Sequence, residues 1–129
     1  MKRLFLLLLA PLLMATTCED DFDNSGFETT YFIKNDSSTD LFILSDGDRL
    51  IAVGAQSTLS IGSDLSAATE PIVPSESSIF SEIKLYKMEN EDFILVYGQN
   101  PINDSLWEFD EPTVNRYEFT LLITAGIID

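Results

Sequence analysis

The chain has no histidine in 129 residues and a single cysteine, Cys18. Without histidine, the Ser-His-Asp and Cys-His arrangements of nucleophilic catalysis are excluded, and so are histidine-bearing zinc sites. With one thiol, no intramolecular disulfide can staple the fold. Basic residues are scarce as well: 7 Lys and Arg stand against 22 Asp and Glu, a formal net charge of −15. Nucleic acids and anionic lipid surfaces are held by clustered Lys and Arg that displace counterions, so both are disfavoured partners. No apolar run approaches the roughly 20 residues of a membrane-spanning helix, and no internal repeat is evident.

What the sequence does contain begins at its N-terminus. Lys2 and Arg3 are followed by the apolar stretch Leu4 to Met14, broken only by Pro11, and then by the small residues Ala15, Thr16 and Thr17 before Cys18. This is the three-part layout of a removable export signal, about half the length of a span. Ala15-Thr16-Thr17-Cys18 resembles the lipobox of bacterial lipoproteins, a pattern that prefers Leu where Ala15 stands and Gly, Ala or Ser where Thr17 stands. The resemblance implies cleavage before Cys18 and acylation of its thiol by a palmitate-class chain. The alternative is an ordinary secretory signal and an idle thiol. Each buried methylene contributes about 0.8 kcal/mol, so one chain holds weakly and two or three hold stably. An acylated protein is thus expected to be anchored to the membrane, not embedded in it.

Directly after the cysteine come Glu19, Asp20, Asp21 and Asp23. This run is similar to the surface-export signal of Bacteroidetes-type lipoproteins, which implies the outer face of the outer membrane, exposed at the cell surface. A plain charged tether on the periplasmic face is the alternative. Residues 1–17 are therefore read as the signal peptide, 18–26 as the acylated cysteine with its acidic tether, and 27–129 as one folded domain. Losing Lys2 and Arg3 from the 7 basic residues leaves 5 against 22 acidic ones, a net charge of −17. A cationic protein, a divalent ion or a neutral glycan remains open as a partner.

Within the domain the hydrophobic period is about two. Tyr117, Phe119, Leu121 and Ile123 share one face of Arg116 to Thr124, and Phe27, Thr29, Tyr31 and Ile33 share one face of Phe27 to Lys34. Asp46-Gly47, between Leu41 to Leu44 and Leu50 to Val53, carries the signal of a tight hairpin turn. Ser57 to Ile61 alternates again. Ser63 to Ser78, with Pro71 and Pro74, is expected to be a long loop or a short helical turn. A second hairpin joins Ile79 to Met88 with Phe93 to Tyr97 through the charged turn Glu89 to Asp92. Ser105 to Phe109 is a short extended piece. Roughly seven such strands joined by turns predict an all-β fold, an immunoglobulin-like antiparallel sandwich, with a small β-barrel as the alternative.

No grouping supplies nucleophile, base and orienting residue together, so the chain is read as not an enzyme and as needing no cofactor. Lys34, Lys84 and Lys87 lie at no spacing that singles out a Ser-Lys pair. Asp46-Gly47-Asp48 lacks the alternating oxygen ligands and terminal Glu of an EF-hand loop, so it is read as a turn and no metal site is assigned. Glu89, Glu91 and Asp92 are read as a solvated hairpin tip.

Two features remain for binding. Trp107 and Phe109, two apart, share one face of an extended segment, either as a ligand platform or as plugs of the core. Ile94 and Val96 oppose Phe93, Leu95 and Tyr97, which predicts a strand covered on both sides in preference to an exposed patch. Asp104-Ser105-Leu106 is similar to the O-glycosylation motif of Bacteroidetes envelope proteins, which implies a glycan on Ser105. The expected function is a lipid-anchored, non-catalytic envelope module that binds a protein or glycan. The competing classes are a structural accessory subunit of a surface complex and an acidic inhibitor of a basic partner.

Overall fold

Side chains at every second position of a strand face the same layer, and that rule builds most of this domain. The computed structural model describes residues 26–45 and 48–128, and of Ser45 only the backbone. Its strands are β1 (Phe27–Asp36), β2 (Leu41–Ser45), β3 (Arg49–Val53), β4 (Ser57–Ser66), β5 (Ile83–Glu89), β6 (Asp92–Gln99), β7 (Trp107–Thr113) and β8 (Arg116–Thr124), followed by a short helix α1 (Ala125–Ile128). They form two four-stranded sheets, β4-β1-β8-β7 and β3-β2-β5-β6. The fold is an all-β sandwich and not a closed barrel, since each sheet keeps two edges.

The described residues form eight strands, close to the roughly seven expected, and one neighbouring pair is not antiparallel. β1 and β8 run parallel at the centre of their sheet, from Glu28 beside Arg116 to Asp36 beside Thr124. Periodicity carries no information about strand direction, and no turn links these two strands to impose one. β7 pairs with β8 from Trp107 and continues past Phe109 to Thr113. The hairpin β2–β3 pairs Leu44 with Leu50 as the sequence predicts, although Asp46 and Gly47 themselves lie outside the described residues. In the β5–β6 hairpin, Asn90 and Glu91 both take positive φ and Glu89 pairs with Asp92, the two-residue turn whose twist matches its strands.

Two irregularities reverse the alternation. In β4, Gly62 pairs with Tyr31 and Ser60 with Phe32, so Ile61 is an extra residue. Leu59 faces inward before this bulge, and Asp64 faces inward after it. Gly62 has φ 143°, and a Cβ there would lie 3.0 Å from the Ile79 side chain, so glycine meets both demands of the bulge. In β6, Tyr97 pairs with Leu85 and Leu95 with Tyr86, which leaves Val96 as the extra residue. Phe93 and Leu95 therefore face outward while Tyr97 turns in.

The core lies between the sheets. Ile33, Leu41, Val53, Ile83, Leu85, Leu121 and Ile123 are all buried there. Tyr31 is its aromatic centre, edge-on to Phe80 at 5.2 Å and to Trp107 at 6.4 Å between ring centroids and stacked on Phe119 at 6.2 Å, geometries that suit the ring quadrupoles. One buried amide ties the layers together. The two N–H groups of Asn35 Nδ2 are shared among the carbonyls of Thr39 (2.8 Å), Val53 (3.0 Å) and Gly54 (3.2 Å), while its Oδ1 accepts from Ser37 N and Oγ. The amide of Asn35, fully buried, thus has a partner on both its nitrogen and its oxygen.

Candidate interaction surface

Two buried polar side chains, Asp64 and Gln99, organise the loops around the core. Asp64 lies inside the edge of the first sheet, where its carboxylate accepts from Tyr31 Oη (3.0 Å), Ser77 Oγ (2.6 Å), Ser78 N (3.3 Å) and Ser78 Oγ. Burial pushes its pKa up, but the hydrogen bonds from Ser77, Ser78 and Tyr31 outweigh burial and hold it below the usual carboxylate value. The single Tyr31 hydroxyl proton is shared between Asp64 and the Ile72 carbonyl, 2.7 Å from Oη. Burial and the neighbouring Asp64 raise the Tyr31 pKa well above that of an ordinary phenol. This network pins the segment between β4 and β5 to the sandwich. Four hydrogen bonds thus hold the carboxylate in its ionised form and fasten the Ser77–Ser78 stretch to β4.

Gln99 has a similar task beside Trp107. Its Oε1 accepts from Trp107 Nε1 (3.2 Å) and Asn103 N (3.1 Å), and its Nε2 donates to Tyr97 Oη (2.6 Å). Between the β3 and β4 edges a cleft of about 550 Å³ opens over Ile51, Leu59, Ile79 and Phe80, with Asp48, Arg49 and Glu82 at its rim. Among the described residues no three acidic or Cys side chains converge as a metal cage, and no helix is long and apolar enough to cross a membrane.

The residues singled out in the sequence separate. Trp107 is 6% exposed and stacks on Phe80 at 5.6 Å, so it belongs to the core and offers no ligand face. Phe109 shares its side of β7 but lies beyond the cover of the opposite sheet, 53% exposed, tilted against Tyr117 and Phe119. The two rings therefore form no common platform. Ser105 is exposed in a 3-10 turn, Asp104–Leu106, and its Oγ donates to Asn103 Oδ1 at 2.7 Å. Asp104 is committed elsewhere, accepting from Ser75 N and Oγ. Cys18, Glu19, Asp20, Asp21 and Asp23 lie outside the described residues.

The outward faces of the two sheets differ sharply. On the β4-β1-β8-β7 sheet the outer rows are mostly polar. Glu28 pairs with Arg116, Thr30 bonds Ser63 at 2.8 Å and neighbours Glu118, and Lys34 continues the series, with Phe32 and Leu122 half-buried and Leu65 exposed beside Glu28 among them. On the β3-β2-β5-β6 sheet the register aligns Ala52, Phe42, Tyr86 and Leu95 in one row across all four strands. Met88 and Phe93 pair beside that row, and Leu44 with Leu50 lie on its other side. Phe42 and Phe93 meet edge to face at 5.2 Å. Leu95 and Met88 are each 53% exposed and Phe93 44%. The strand expected to be covered on both sides is thus largely open. β6 is the edge of its sheet, and none of Asp92 to Leu95 is buried.

This surface was only partly visible in the sequence. The apolar run Phe93 to Tyr97 is legible in it, but Phe42, Tyr86 and Met88 join that run only through the strand register. No family model matches the chain, and no curated protein or solved structure matches it either.

Proposed function

We propose that the protein is a lipid-anchored, non-catalytic interaction module of the cell envelope that holds a protein partner against the outer face of the β3-β2-β5-β6 sheet. One observation carries this reading: the first sheet has the mostly polar outer face expected of a solvated sandwich, and the second has an apolar row four strands wide. Contiguous exposed apolar patches mark interaction surfaces in folded proteins. Anchoring at Cys18 and surface display by the acidic residues Glu19, Asp20, Asp21 and Asp23 rest on their resemblance to lipoprotein signals. A tether concentrates the module at the membrane and so favours assembly there.

Full burial of a large apolar side chain contributes about 1.5–3 kcal/mol. Phe93 and Leu95, each roughly half exposed, should together contribute about 2 kcal/mol to a complex, or about 30-fold in affinity. The test is crosslinking on intact cells followed by capture, comparing the wild type with Phe93→Ser/Leu95→Ser. Loss of one stoichiometric partner in the variant, with thermal stability preserved, is the expected result. A partner retained undiminished would sink the reading. The net charge of −15 favours a second reading, an acidic inhibitor of a basic protein; its capture would fall steeply with added salt and would ignore the apolar substitutions.

A further inference from the structure

The four sheet edges are not equally protected. β3 is five residues long. β4 carries the bulge at Ile61 and the polar residues Ser57, Thr58, Ser60 and Ser63. β7 presents Glu108, Asp110, Glu111 and Pro112, and its register with β8 breaks between Asp110 and Thr113. Short length, bulges, charges and proline are the devices by which edges resist pairing with foreign strands. β6 uses few of them where it begins. From Asp92 to Leu95 its pairing with β5 is regular, its one charge is Asp92, and all four residues are exposed. The bulge comes only afterwards, at Val96. Among the described residues β6 hydrogen-bonds to β5 alone and also packs near α1, so no strand pairs with the backbone donors and acceptors on its other side.

We infer that β6 accepts an added strand from the partner: an extended segment, apolar beside Phe93 and Leu95 and basic where it passes the β5–β6 tip. This rests on the interaction-module reading and specifies how the partner is held. The ladder would extend the β3-β2-β5-β6 sheet by one strand, and the apolar row that ends at Leu95 would continue onto the incoming side chains. The tip fixes the other half of the specificity. Glu89, Glu91 and Asp92 cluster there against one cation, Lys87, which bridges Glu89 at 3.5 Å. In antiparallel pairing, the incoming strand passes this tip at its C-terminal end, which is where Lys or Arg is required. A second copy of this chain has the opposite character, since self-pairing would join two molecules that each carry 5 basic against 22 acidic residues from residue 18 onward, a net charge of −17.

The test uses the chain from residue 18 onward, isotope-labelled, with three capped peptides. The first alternates Val and Thr and ends in two Lys; the second ends in two Glu; the third replaces the central Val of the first by Pro, which removes a ladder donor. The first peptide should shift the backbone amides of Asp92 to Leu95 and those of the β5–β6 tip. The Glu-ended peptide, and the Lys-ended peptide on Asp92→Lys, should each bind about fivefold more weakly. The Pro peptide should not bind. Absence of amide shifts at millimolar peptide, or equal binding by the Pro peptide, overturns the inference, as does a dimer of the protein alone whose protected amides are those of Asp92 to Leu95. If cell capture depends on Phe93 and Leu95 while the peptide result is negative, edge pairing fails and the sheet-face reading stands. If capture ignores both residues, the reading beneath it fails.

Discussion

Replacing Asp64 by Ala isolates the network that fastens the β4–β5 segment. The carboxylate accepts from Ser77 Oγ, Ser78 Oγ, Ser78 N and Tyr31 Oη, and a hydrogen bond to a charged group contributes about 1.5–3 kcal/mol. The sum is not available in full. Ser78 is exposed and Ser77 half-buried, so their hydroxyls regain water, and Tyr31 keeps the Ile72 carbonyl at 2.7 Å. About 2–4 kcal/mol is therefore expected, a large part of the roughly 5–15 kcal/mol that holds a domain together. For about 100 residues this corresponds to a fall of about 10–20 °C in Tm. Urea unfolding at neutral pH measures it directly, with Trp107, the only tryptophan and a buried one, as the fluorescent reporter. The pH dependence follows from the depressed pKa of Asp64. Its contribution is complete above the ordinary carboxylate value of about 4 and disappears as pH falls through the lower folded-state value. The gap between wild type and variant should be constant from neutral to mildly acidic pH and close below about pH 4. A neutral-pH loss under about 1 kcal/mol, or a gap that widens on acidification, would refute the assignment of Asp64 as the anchor of this segment.

Two further outcomes test other parts of the molecule. Burial and Asp64 raise the pKa of Tyr31, so stability is complete below about pH 10 and falls as pH rises toward the folded-state value; Tyr31→Phe should cost about 1 kcal/mol at neutral pH and flatten that alkaline slope, read by urea unfolding across the range. Growth with a clickable fatty acid should label the wild-type protein and leave Cys18→Ser unlabelled, and label persisting in the variant would remove the basis for anchoring at that residue.

The strands that alternate without interruption were legible in the sequence. β1 and β8 bury the faces their spacing assigns, because Tyr31, Ile33, Phe119 and Leu121 repeat at period two with no extra residue between them. Asp64 was not legible, since regular alternation from Leu59 would turn it to solvent, and only the bulge at Ile61 brings it inside. Trp107 and Phe109 do share a side of β7. Their different fates depend on how far the opposite sheet extends, which neither residue type nor spacing expresses. The same holds for β6, where five consecutive apolar residues read as a doubly covered strand until its place at the edge is known.

The sequence by itself determined the all-β character, the hairpin positions and the absence of histidine-based chemistry, because these depend on residue type and on near neighbours along the chain. The tertiary structure alone decided the parallel pairing of β1 with β8, the reversal of alternation at two bulges and the apolar row across Ala52, Phe42, Tyr86 and Leu95. Each of these is a relation between segments distant in sequence, set by which strands neighbour one another and in what register.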